Sequence, residues 1–157
     1  MIMKFKKRIP LAAFFLLPCL AFAHLGDTPD ELVKRIGVEA ETSLLKPALT
    51  ETSVYQYEKD GVLLVAYFWH GKSCQETYSK KVGKFSDEEI NTFLKSNSFG
   101  GEWNLLSKNF WEWTSNGTRV MGAGVSNSGD FSMFTTKFME AYLAAEAAAQ
   151  KNHAKDF

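Results

Sequence analysis

Three histidines and two cysteines are the soft ligands and nucleophiles this 157-residue chain offers, and their spacing limits the chemistry they could do. His24 follows Ala23, a predicted cleavage point, and an N-terminal histidine can chelate copper through its amine and a ring nitrogen. Such a site needs a second histidine. His70 stands at a predicted turn and His153 in a tail expected to fray, so His24 and His70 are the candidate metal ligands, although no metal or other cofactor is expected. His70 also precedes Cys74 by four residues across the turn His70-Gly71-Lys72, where a base and a thiol nucleophile could meet. Catalysis would require the ring to reach the thiol and a third group to orient it. A turn histidine beside a strand cysteine is common without function, so no catalytic residue is assigned. Whether the chain is an enzyme stays open, with a non-enzymatic role favoured.

Other motifs have plainer explanations. Gly122-Ala123-Gly124-Val125-Ser126 lacks the Gly-x-Ser-x-Gly order of a nucleophile elbow and precedes no helix as a phosphate loop would. Its glycines suit close backbone approach or a bulge in a strand. Asp87, Glu88 and Glu89 form the densest acidic run, in the first turn of a predicted helix, where the dipole accounts for them. Asn116-Gly117-Thr118 has the form of a glycosylation sequon but reads better as a hairpin turn.

The N-terminus sets the compartment. Lys4, Lys6, Lys7 and Arg8 precede an apolar run from Ile9 to Ala23 that ends in Ala21-Phe22-Ala23. At about 15 residues the run is too short to cross a ~30 Å hydrocarbon core, and with its small-x-small end it reads as a cleavable signal peptide over 1–23. Pro18 before Cys19 argues against a lipid anchor. The expected product is residues 24–157, exported to the periplasm or beyond the cell, with no stable membrane anchor. It carries 14 basic and 18 acidic residues, a net charge of −4, which argues against nucleic acid as partner. It keeps one cysteine, Cys74, expected to be a buried small hydrophobe rather than half of a disulfide.

The elements that would position these residues follow a repeated order. Thr28-Pro29-Asp30-Glu31 is a capping box with proline at the first helical position, and Gly37 closes the helix. Ser86 and Glu89 repeat the box, with Phe85 and Ile90 as a hydrophobic staple. After each helix come strand-like runs joined by tight turns, at Asp60-Gly61 in the first half and Asn116-Gly117 in the second. The predicted class is therefore α+β: two tandem helix-plus-three-stranded antiparallel units forming one sheet-based domain, with repeat one over 27–80 and repeat two over 85–135. An alanine-rich C-terminal helix is expected over 137–152. Val62 to Trp69, apolar throughout, should be a central strand covered on both faces. Trp111 and Trp113 share a strand face and are expected in the core. Together with Trp69 they are also the candidate interaction surface, because exposed tryptophan is characteristic of binding hot spots.

The run from Gly26 to Gly37, followed by Tyr57, the Asp60-Gly61 hairpin and the apolar strand ending near Gly71-Lys72, resembles a broad group of small exported bacterial domains. This group is related to the outer-membrane assembly lipoprotein BamE and to the β-lactamase inhibitor protein. Glu39 stands where the group usually has proline, and the anchor cysteine and the inhibitor's disulfides are missing. The resemblance implies a protein-interaction or scaffold module of the envelope whose partner is another envelope or secreted protein. The alternative is a small periplasmic enzyme or a copper-binding protein using His24.

Overall fold

The computed structural model describes residues 24–99 and 101–153; the signal peptide expected over 1–23 lies outside them. Helix α1 (Pro29–Ile36) starts on the Thr28–Glu31 capping box and ends at Gly37, which takes the left-handed conformation at φ 76°. Helix α2 (Asp87–Ser96) starts on the equivalent Ser86–Glu89 box. The strands are β1 (Glu41–Thr42), β2 (Thr52–Lys59), β3 (Val62–Trp69), β4 (Lys72–Lys80), β5 (Trp103–Ser107), β6 (Phe110–Ser115), β7 (Thr118–Val125) and β8 (Phe131–Thr135). Helix α3 (Thr136–His153) follows β8 without a break. The turns Asp60-Gly61, His70-Gly71 and Asn116-Gly117 all place both residues at positive φ, as tight antiparallel hairpins require.

The eight strands form one antiparallel sheet in the order β1-β2-β3-β4-β8-β7-β6-β5. This corrects the expectation of two tandem helix-plus-three-stranded units. The edges of β4 and β8 pair with each other, from Gln75 opposite Phe134 to Tyr78 opposite Phe131, so the halves merge into a continuous sheet. Nor does either half stop at three strands. The two-residue β1 extends one edge and β5 the other, the latter from a segment between Gly101 and the Lys108-Asn109 turn where no strand was expected. The class stays α+β.

Helices α1 and α2 cover one face. Leu32 and Ile36 of α1 and Ile90, Phe93 and Leu94 of α2 join Tyr57, Leu64, Ala66, Phe68, Tyr78, Met121, Ala123, Phe131 and Met133 in a single buried cluster. Phe93 is its centre, with ring centroids 4.8 Å from Tyr78, 5.1 Å from Phe131 and 5.4 Å from Phe85. Aromatic pairs at these distances add to the transfer energy of burial.

The other face is partly covered by α3. Phe138 is fully buried, its ring centroid 6.1 Å from those of both Tyr67 and Trp69. These two alternate along β3 with the buried Ala66 and Phe68, so β3 has helices on both sides. Farther along this face the rings of Phe110 and Phe134 lie against the backbone of β7. A Cβ on Gly122 would meet Phe134 at 2.5 Å and one on Gly124 would meet Phe110 at 3.3 Å. The two glycines thus admit the close approach expected of glycine within a strand. No helix among the described residues is long and apolar enough to cross a membrane.

Candidate functional site

The segment after residue 23 is woven into the start of β4. Gly26 N donates to the carbonyl and the hydroxyl of Ser73 at 2.8 and 2.9 Å, and Ser73 N donates to Asp27 O at 2.7 Å. Leu25 N donates to Oδ1 of the buried Asn97 at 3.0 Å. From this lacing a chain of polar side chains runs inward. His24 Nδ1 is 3.1 Å from Asp27 Oδ1, and Asp27 Oδ2 accepts from Arg35 Nε at 2.8 Å. Arg35 Nη2 stands 3.7 Å from Glu76 Oε1, an ion-pair distance rather than a hydrogen bond. Glu76 Oε2 accepts a short hydrogen bond from the Tyr78 hydroxyl.

Glu76 and Tyr78 are both fully buried, and burial raises the pKa of each. For Glu76 the nearby Arg35 guanidinium and the Tyr78 hydroxyl act in the opposite direction without overcoming desolvation. A carboxyl and a phenol sealed at 0 % exposure touch no solute, so the arrangement ties α1 and the N-terminal segment to the sheet. Nothing in the sequence singles these residues out. Arg35 and Glu76 lie 41 positions apart, and in the alternating Cys74-Gln75-Glu76-Thr77-Tyr78 a glutamate looks like an exposed strand position.

The residues singled out for chemistry are each held by other partners. His24 is engaged with Asp27 and with the ring of Phe99 at 5.0 Å, edge to face. His70 Nδ1 pairs with Glu51 Oε2 at 2.6 Å, and its ring lies 4.6 Å from that of Trp69. Among the described residues no group of three histidine, cysteine or acidic side chains is placed to hold a metal ion. Cys74 is buried at a bulge, where the register passes from Tyr67–Gln75 to Phe68–Ser73 and leaves it without a partner residue on β3. Its Sγ donates to Tyr67 O at 3.1 Å, and burial pushes the thiol pKa up to about 12, so it is protonated and unreactive at neutral pH. In the acidic run, Glu89 closes the helix cap and pairs with Lys80 at 2.7 Å.

The tryptophans divide. Trp69 is half-buried beneath α3, with Lys137 Nζ 6.0 Å from its ring centre. Trp111 and Trp113 are half-buried and pack against the margin of the main core. Trp113 Nε1 donates to Ser98 O at 2.8 Å, and its ring is 6.4 Å from Phe99. Around them lie apolar residues that no motif in the sequence marks: Phe99 is 53 % exposed, Leu105 61 % and Leu106 55 %. Leu105 is opposite Trp111 and Trp103 opposite Trp113, so the β5 end of the helix-side face is an apolar margin of the core. The alternation of Trp103 and Leu105 before the Lys108-Asn109 turn was the available signal for this strand.

No protein-family model matches the chain, and no curated protein does. Among solved structures, a cysteine-rich secretory protein from Staphylococcus aureus subsp. aureus Mu50 is similar over 77 % of this chain and 46 % of its own, with 8 % sequence identity and a TM-score of 0.38. This chain therefore spans a little under half the length of that protein.

Proposed function

We propose that the protein is exported and acts as a protein-binding module through the β5 end of its sheet. The observation that carries this reading is the exposure of Leu105, Leu106 and Phe99, each more than half open to solvent, beside the half-buried Trp111 and Trp113. A contiguous apolar patch rimmed by polar residues is what a partner covers. Each leucine withdrawn from water contributes about 1.5 to 3 kcal/mol when fully buried, and tryptophan anchors concentrate such energy at interfaces. Export rests on the basic stretch, apolar run and Ala21-Phe22-Ala23 end of the leader. Cleavage after Ala23 spares every contact that Leu25 and Gly26 make with Asn97 and Ser73. The resemblance of the capped α1 segment to exported binding domains points the same way.

The test is site-specific photo-crosslinking in the envelope. A benzophenone side chain at position 105 should give a protein adduct that the same group at Asn91, on the exposed side of α2, does not. Identical patterns at the two positions, or no adduct at 105, would refute the assignment.

A further inference from the structure

We propose that the N-terminus of the exported protein is a copper(II) site, made of the α-amine and Nδ1 of His24 together with the carboxylate of Asp27; it rests on cleavage after Ala23, one part of the export reading above, and is independent of the β5 surface.

Cleavage after Ala23 turns His24 N from an amide, which has no lone pair to give, into a primary amine. An amine and Nδ1 of one histidine can close a chelate ring on a single ion; Nε2 cannot, because its lone pair points away from the main chain. In the structure it is Nδ1 that meets a carboxylate, with Asp27 Oδ1 at 3.1 Å. At metal–nitrogen and metal–oxygen bonds of about 2.0–2.1 Å, donors a quarter-turn apart around one ion stand roughly 2.8–3.0 Å from each other. His24 and Asp27 are thus close to the spacing of neighbouring ligands. A second histidine is not required, and the third donor is an amine rather than a side chain.

Three features favour an ion over a plain pairing of His24 with Asp27. The charge of Asp27 is already met, since Oδ2 accepts from Arg35 Nε at 2.8 Å, and this bond holds Oδ1 toward His24. The segment is also ordered in advance. Leu25 N, Gly26 N and Asp27 O are bonded to Asn97 and Ser73, so the loop does not have to be organised when the ion arrives. The Leu25 amide is committed to Asn97, which keeps it out of the coordination shell. Finally, the site is open on one side and sheltered on another: the His24 side chain is 45 % exposed, while the Phe99 ring stands 5.0 Å away, edge to face. Two nitrogens and an oxygen suit tetragonal copper(II), which also heads the affinity order of the divalent first-row ions. Binding requires Nδ1 and the amine unprotonated, so their protons pass to solvent.

The test uses protein exported from the full chain and purified from the envelope, with its first residue read by mass spectrometry. Copper(II) is titrated in competition with glycine, beside the free peptide His-Leu-Gly-Asp, which carries residues 24–27 without the fold. One ion should bind per chain, on the order of ten-fold or more tighter than to the peptide, because the folded site is preorganised. Asp27→Asn, and Gly-Ser-Gly-Ser inserted ahead of His24 to carry the amine away, should each remove that advantage; His70→Ala should leave it intact. Paramagnetic broadening of amide signals in the unaltered protein should centre on residues 24–27 and Ser73, a readout that needs no variant to fold. Affinity no better than the peptide's, or broadening centred elsewhere, would mean an adventitious ion only and overturn the proposal. An Asp27→Asn protein that is folded by circular dichroism and binds as tightly would overturn it too. A first residue other than His24 would sink the site together with the cleavage point, while the adduct at position 105 remains the separate check on the β5 surface.

Discussion

Replacing Glu76 with glutamine asks whether the buried carboxyl supports the fold or burdens it. The variant keeps the side-chain shape and an oxygen to accept from Tyr78, and deletes only the charge 3.7 Å from Arg35. Burial holds the folded-state pKa of Glu76 above its ordinary 4.5, against the pull of Arg35 and Tyr78. A carboxyl whose pKa is raised by folding gives its full contribution below the ordinary value and loses it as pH rises through the folded value. Within that window the loss is about 1.4 kcal/mol per pH unit, the energy of one unit of pKa difference. Glutamine does not titrate, so the stability of wild type minus that of Glu76→Gln should fall as pH rises from about 4, then level off above the folded pKa. Urea unfolding followed by tryptophan fluorescence, at a series of pH values and with equal m-values in the two proteins, measures the difference. If wild type instead gains on the variant across this range, Arg35 outweighs desolvation, the buried pair is a net stabiliser, and the raised Glu76 pKa is refuted.

Three further perturbations probe the packing. Phe93→Ala removes the ring between Tyr78, Phe85 and Phe131 and should cost about 3 to 5 kcal/mol by chemical denaturation; a loss under about 1 kcal/mol would contradict its central place. Gly122→Ala puts a methyl 2.5 Å from the Phe134 ring, which must move, at about 1 to 3 kcal/mol. In a Phe134→Ala background most of that cost should vanish, and an undiminished penalty would place the strain elsewhere. Cys74, with its pKa pushed up to about 12, should resist a thiol reagent in the native protein at mildly alkaline pH and react fully in denaturant; rapid native labelling would contradict its burial.

What could be read in the sequence was local. The caps at Thr28 and Ser86 and the turns at Asp60-Gly61 and Asn116-Gly117 are written in adjacent residues, because each depends on hydrogen bonds or φ values within a few positions. The β4–β8 join depends on contacts such as Tyr78 opposite Phe131, 53 residues apart, and no periodicity within either strand announces which edge it will meet. β5 was missed for a related reason. A five-residue strand with one paired edge leaves four of its residues exposed, so it lacks the buried alternation that marks an interior strand.

The candidate site was less legible than the fold, since residue type and residue role part company here. The groups with the most chemistry by type, Cys74, Glu76 and Tyr78, are buried: the Cys74 thiol donates to Tyr67 O on β3, and the Tyr78 hydroxyl donates to Glu76, whose carboxyl faces Arg35 of α1. His24 and His70 lie nearer the surface, yet each is taken up by a carboxylate, Asp27 and Glu51. What remains open at the β5 end is Phe99, Leu105 and Leu106, which offer shape and apolar area rather than reactivity. A surface of that kind gains free energy only by being covered.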